Sequence, residues 1–193
     1  MAIAANEVLD CKGLACPMPI VKTKKAMEKL ESGKVIEIQA TDKGSTADIQ
    51  SWAKSTGHQY LGTTSEGEVL RHYLRKANPD EVKEDTKFPH TVDNVMLEKV
   101  LEQENTVILD VREPAEYMFS HIPGSLSIPL GELENNIEKL DREKDIYVVC
   151  RTGNRSDRAS QILADKGFTK IKNVVPGMSE WMGPVEKFQG GDK

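Results

Sequence analysis

Cysteine is scarce in this chain, and long apolar stretches are missing. Three cysteines in 193 residues are too few, and too odd a number, for a disulfide framework. The expected setting is therefore cytoplasmic, with reduced thiols, and there a cysteine at a helix start is more often reactive than structural. No apolar run approaches the ~20 residues of a membrane span. Met1-Ala2-Ile3-Ala4-Ala5 lacks the basic start and apolar core of a secretory signal. An excess of positive charge is missing too: the formal charge is −5, which gives no support to nucleic acid or an anionic membrane as the main partner. His58, His72 and His90 have no ligand-like spacing. Cys11 and Cys16 lie too far apart for a two-cysteine knuckle, and no second pair exists. No metal and no cofactor is expected.

What is present suits a globular protein, with 38% hydrophobic and 30% charged residues and enough length for two domains. Glu7 to Asp10 reads as a short strand. Pro17 to Leu30 reads as a helix with apolar Ile20, Val21, Ala26, Met27 and Leu30, ended by Gly33. Val35 to Ala40 alternates as a strand. Ser45 is expected to cap a second helix bearing Ile49, Trp52 and Ala53, closed by Gly57. Gln59 to Ser65 and Glu68 to Lys76 form a hairpin around Glu66-Gly67. This β-α-β-α-β-β order predicts a two-layer α/β sandwich over residues 1–76, with both helices on one face of a four-stranded sheet.

Ala77 to Lys87, reading ANPDEVKEDTK, is polar and acidic and reads as a linker. As flexible chain it has an r.m.s. span of roughly 17–20 Å and a fully extended reach of roughly 36 Å. Over residues 88–193 helices and strands alternate. Asp93 to Glu102, Pro114 to Tyr117, part of Leu130 to Leu140, Ser156 to Lys166 and a turn from Met178 are helical. Val107 to Asp110, Leu126 to Ile128, Ile146 to Val149 and Ile171 to Val174 are strands. Such alternation implies a doubly wound parallel sheet, covered on both faces. Its ligands sit at the carboxyl ends of the strands, where Asp110 and Cys150 fall.

Cys150 heads the run Cys150-Arg151-Thr152-Gly153-Asn154-Arg155-Ser156, between a strand and a helix. Gly153 lets successive N–H groups turn inward, and Arg151 and Arg155 add positive charge, so the loop is expected to favour a thiolate and to bind an anion or a persulfide. A cysteine-phosphatase loop has one residue more between its Cys and its Arg. The smaller ring here suits a terminal sulfur better than a tetrahedral phosphate. Cys16 stands before Pro17, and Pro17 at the first helical position would make Cys16 the N-cap, again favouring a thiolate. Lys22, Lys24 and Lys25 on that helix suit an anionic donor or an acidic partner surface. Cys11 offers a thiol that could resolve an oxidised or persulfidated Cys16 by forming a disulfide.

Two resemblances carry these readings further. Leu109-Asp110-Val111-Arg112-Glu113, Glu116-Tyr117, His121-Ile122-Pro123-Gly124-Ser125, Ile128-Pro129, the Cys150 loop and Gly177 to Trp181 resemble a rhodanese domain. That likeness implies that Cys150 accepts sulfane sulfur as a persulfide and that Asp110 and Arg112 support the site from beneath. His121 reads as a packed loop residue rather than a base. Leu9-Asp10, Gly13-Leu14, Cys16-Pro17-Met18-Pro19, Asp42, Asp48-Ile49, Trp52 and Gly57-His58 resemble the small SirA/TusA-like sulfur carriers. Lys43 and Gln50 stand where that family often has proline. This likeness implies that Cys16, supported by Pro17 and Pro19, carries a persulfide and passes it on by docking to partner proteins. Two such thiols on one chain suggest a sulfur relay, with a small donor (thiosulfate or a persulfide) and an acceptor protein. The alternative is a thiol-redox sensor or binding module built on Cys11 and Cys16, with little turnover of its own.

Overall fold

The computed structural model describes residues 3–79 and 88–187. Most of the expected linker, residues 80–87, and the expected tail of the second domain, residues 188–193, lie outside the described residues. On either side of that gap the chain forms a compact unit.

The first unit runs β1 (Glu7–Cys11), α1 (Met18–Lys29), β2 (Val35–Ala40), α2 (Ser45–Thr56), β3 (Gln59–Glu66) and β4 (Val69–Arg75). Its sheet has the order β1-β2-β4-β3, with β1 parallel to β2 and the other pairs antiparallel. Alternation along β2 sends Ile36 and Ile38 to one face, where they meet Leu74, Cys11 and the helical residues Ala26, Met27, Ile49 and Ala53. Both helices therefore cover the same face, and that single core is the reason for the β-α-β-α-β-β sandwich. Gly57 closes α2 in the left-handed region. Both helix starts differ from expectation. Ser45 is the first residue of α2 rather than its cap, and Gly44 takes the cap position. The Ser45 hydroxyl is drawn away to the Asp42 carbonyl, at 2.6 Å, and to His72.

The second unit runs β5 (Thr91–Val92), α3 (Asn94–Val100), β6 (Thr106–Asp110), α4 (Pro114–Phe119), β7 (Leu126–Ser127), β8 (Asp145–Val149), α5 (Asn154–Asp165) and β9 (Ile171–Val174). Every neighbouring pair in its sheet, ordered β5-β9-β8-β6-β7, is parallel. Successive residues of the central strands serve opposite faces. Leu109, Ile146 and Val148 pack with Ala159, Leu163 and Phe168 on one side. Ile108, Tyr147 and Val149 pack with Leu97, Val100 and Ile122 on the other. This double burial explains why the strands read as continuous apolar runs. The helix expected within Leu130 to Leu140 is a pair of 3-10 turns, Leu130–Glu132 and Glu134–Lys139, with non-helical backbone at Asn136. β5 is too short to leave an apolar pattern in the sequence. It exists because β9 offers it an edge.

Candidate functional site

Two thiols stand just before helices, one buried and one exposed, and their surroundings differ. Cys150 follows β8 directly and is 1% exposed. The Gly153 N–H donates to its sulfur at 3.1 Å, and the Ser156 hydroxyl lies 3.4 Å from the same atom. Gly153 has φ +98°, a backbone that side-chain-bearing residues rarely adopt, and this is what turns its N–H inward. The loop is braced from outside by the segment after β9. Met178 N–H donates to the Cys150 carbonyl at 2.9 Å and Ser179 N–H to the Arg151 carbonyl at 2.8 Å. Gly177 makes this close approach workable, because a Cβ there would lie 2.5 Å from the Cys150 carbonyl oxygen.

The two arginines do not both crowd the sulfur. Arg155 is buried and committed to Glu116 by two hydrogen bonds, at 2.7 and 3.0 Å. A guanidinium buried in a sheet-covered layer needs a partner more than a thiol needs a cation. Its charge thus reaches the loop already balanced by a carboxylate. Arg151 and Thr152 are exposed at the mouth, and Asn154 is half-buried at the start of α5. At the end of the neighbouring strand β6, the Asp110 carboxylate accepts from Arg112 backbone N–H at 3.0 Å and from its guanidinium at 2.6 Å. Arg112 also donates to the Ser120 carbonyl at 2.7 Å, so this pair ties the end of β6 to the end of α4. His121 stacks on Tyr117 with ring centroids 3.9 Å apart, and its Nδ1 lies 2.8 Å from the Tyr117 carbonyl, the geometry of a packed loop residue. Asn173, fully buried on β9, touches both Ser156 and Gly153. Sequence reasoning missed it, because Asn173 stands beside a second polar residue, Lys172, and only the fold shows that Asn173 is the buried one.

Cys16 is exposed. α1 begins at Met18 with Pro17 as its cap residue, so Cys16 sits one residue further from the helix than expected. Pro17 follows a cis peptide bond, in a turn closed by Met18 N–H on the Ala15 carbonyl at 3.0 Å. With Pro19 and Ile20 of α1, Cys16 lines a small cleft whose other wall carries Asp42, Ser45 and Asp48. The neighbouring Asp48 carboxylate, then desolvation, then the charge of Asp42 hold the Cys16 thiol above its ordinary range. These carboxylates, which line the cleft beside the sulfur, work against the thiolate expected at Cys16.

Ser45 joins that cleft to a buried histidine. Its hydroxyl lies 2.9 Å from His72 Nε2, and Thr63 Oγ1 lies 2.6 Å from His72 Nδ1. Since Ser45 donates to the Asp42 carbonyl, it accepts from His72 Nε2–H, which leaves Nδ1 to accept from Thr63. His72 is fully buried, and desolvation pushes its pKa down to about 4. Cys11 is also fully buried, in the core of the first unit, and desolvation pushes its thiol up. Among the described residues, no group of three or more His, Cys, Asp or Glu side chains is placed to hold a metal ion, and no helix is long and apolar enough to cross a membrane.

Each thiol lies in a unit with known relatives. Residues 7–76 match the family described as Sulfurtransferase TusA, and residues 94–183 match the Rhodanese-like domain. The Bacillus subtilis protein YrkF is 52% identical over 182 residues, a match that covers 94% of this chain and 98% of that protein. The sulfur carrier protein TusA of Allochromatium vinosum is 36% identical over 72 residues, covering 37% of this chain and 95% of the relative. Among solved structures, a rhodanese-related protein of Thermoplasma volcanium is 32% identical, covers 52% of this chain and 99% of its own, and superposes with a TM-score of 0.48. The chain belongs to the family that joins an N-terminal TusA unit to a C-terminal rhodanese-like domain. That membership makes it a sulfur-handling protein of the sulfurtransferase class.

Proposed function

We propose that the chain takes sulfane sulfur from a small donor onto Cys150 and relays it to Cys16, which delivers it to an acceptor protein. The observation that carries this reading is the Gly153 N–H aimed at the Cys150 sulfur from 3.1 Å, inside a loop one residue too short for a phosphatase. With thiosulfate, the Cys150 thiolate attacks the outer sulfur, the S–S bond breaks, and sulfite leaves with the electron pair, so a Cys150 persulfide forms. A low-molecular-weight persulfide would react in the same sense and release its thiolate. Arg151, exposed at the mouth of the loop, meets the anionic donor.

In the second step the Cys16 thiolate attacks the outer sulfur of the Cys150 persulfide, and Cys150 leaves as a thiolate. Electrostatics supports this direction. Negative charge returning to Cys150 is met by the Gly153 N–H, whereas charge left on Cys16 faces Asp48 and Asp42. A tether of the length read from the sequence would give an effective concentration of order millimolar wherever it lets the thiols meet. The exposure of Cys16 suits hand-over to a protein. The redox-sensor alternative needs Cys11 to reach Cys16, and Cys11 is 0% exposed within the core, which counts against it.

The test uses the full-length chain and its Cys16→Ser and Cys150→Ser variants, each given thiosulfate or a small persulfide, with added sulfur located by peptide mass spectrometry. The expected result is sulfur on both cysteines of the unmodified chain, on Cys150 alone in Cys16→Ser, and almost none in Cys150→Ser. Wild-type loading of Cys16 in Cys150→Ser sinks the proposed order.

A further inference from the structure

The second unit hides a polar cluster behind Cys150 that the sulfur-transfer reading does not use. Ser156 and Asn173 are both 0% exposed. The single Ser156 hydroxyl proton has three acceptors within reach: Asn173 Oδ1 at 2.6 Å, the Gly153 carbonyl at 3.0 Å and the Cys150 sulfur at 3.4 Å. It can serve one of them at a time.

Asn173 decides which. Its Nδ2 donates to the Gly153 carbonyl at 3.2 Å, and only the NH2 end of the amide can face a carbonyl oxygen. The Oδ1 end is therefore fixed toward Ser156, where the short contact makes it the preferred acceptor. With its proton on Asn173, Ser156 turns a lone pair toward Cys150, an arrangement that accepts from a thiol S–H. A thiolate needs the opposite polarity: the Ser156 proton must swing to sulfur, and Asn173 Oδ1 then loses its partner in a site without solvent. The Gly153 carbonyl does not depend on Asn173, since it also accepts the Asp157 N–H at 3.0 Å.

We propose that Asn173 is a positioning residue that, by competing with the Cys150 sulfur for the Ser156 proton, restrains ionisation of this thiol. The proposal rests on Cys150 being the sulfur-accepting thiol for its functional meaning, but not for its test. The charged groups around the loop are accounted for. Glu116 of α4 binds Arg155, Asp110 at the end of β6 binds Arg112, and Arg151 is exposed. Asp157 of α5 accepts from Phe88 N–H at 2.8 Å and from the Gln161 amide at 2.6 Å. The Ser156 hydroxyl lies within reach of the sulfur, and Asn173 Oδ1 is the nearer acceptor competing for its proton.

The experiment measures iodoacetamide alkylation of Cys150 against pH in the full-length chain, with the labelled peptide quantified by mass spectrometry and no sulfur donor present. Asn173→Leu, of similar volume, is expected to raise the Cys150 alkylation rate near pH 6 several-fold, relative to its high-pH plateau. In the Ser156→Ala background, Asn173→Leu is expected to change nothing. An equal effect of Asn173→Leu with and without the Ser156 hydroxyl overturns the proposal, as does no effect in either background. A second readout needs no substitution: in the unmodified protein, the Asn173 side-chain amide resonances should move with the pH midpoint of Cys150 alkylation. Resonances that stay fixed through that midpoint overturn the proposal even where the variants fail to fold. Because no donor is added, a negative result here is separable from a failure of Cys150 to accept sulfur.

Discussion

The two thiols invite comparison because the chain builds them in opposite ways. Cys150 is enclosed: its carbonyl, its sulfur and its loop are each held by a hydrogen bond from elsewhere in the second unit, and the nearby arginine is neutralised by a buried carboxylate. Cys16 is exposed, followed by Pro17 and Pro19, and faces carboxylates across a small cleft. The first arrangement aims an N–H at the sulfur, and the second sets carboxylates beside it. A pair built alike would have no preferred direction for exchanging sulfur. The proposed relay from Cys150 to Cys16 takes its direction from unequal settings.

The comparison breaks most severely at Glu116. Glu116→Ala leaves Arg155 buried without the carboxylate that binds it twice, and removing one partner of a buried pair costs about 3–5 kcal/mol. The expected outcome is a large drop in the urea midpoint of the second unit, read from Trp181 fluorescence in a Trp52→Phe background. Gly177→Ala comes next. The new Cβ would lie 2.5 Å from the Cys150 carbonyl at a φ of +83°, so the brace must shift, at about 2–3 kcal/mol. Loading of Cys150 should fall with it, while the Cys16 alkylation rate stays the same.

Two smaller effects probe the first unit. His72 is held neutral, with its pKa pushed down to about 4, while a histidine in an unfolded chain titrates near ~6.5. Between those values the unfolded state binds the proton and the folded state does not. Stability should therefore fall as pH drops from ~6.5 towards 4 and level off below. Urea midpoints against pH, followed through Trp52 in a Trp181→Phe background, should show this slope, and His72→Gln should flatten it. Asp48→Asn removes the carboxylate that does most to hold the Cys16 thiol up. The expected outcome is a several-fold rise in Cys16 alkylation at neutral pH with Cys150 unchanged. An unchanged Cys16 rate would mean that the carboxylates do not set its reactivity.

Much of this was legible in the sequence because the signals were local. Alternation along Val35 to Ala40, the glycine after α2 and the continuous apolar run before Cys150 each follow from residues within one or two turns of each other, and the elements appeared where those patterns lay. The misses share a different character. The short edge strand β5 depends on a partner far along the chain, at β9. The start of α1 depends on the turn that holds Pro17. Ser45 was read as a cap because its type and place fit one, but Asp42 and His72 compete for its hydroxyl. The charge assigned to Arg155 assumed a bare guanidinium, and Glu116, 39 positions earlier, takes it.

By itself the sequence determined that there are two units and which strands and helices build each, and it pointed to cysteines placed just before helices as the candidates for the chemistry. These follow from periodicity, turn residues and loop spacing, which are properties of neighbouring positions. The tertiary structure alone decided the electrostatic character of each thiol. Hydrogen bonds and desolvation act over a few ångströms, and the groups within that range of Cys150 and Cys16 come from Gly153, Ser156 and Asn173 in one unit and from Asp42 and Asp48 in the other. Only folding brings those groups to the sulfur.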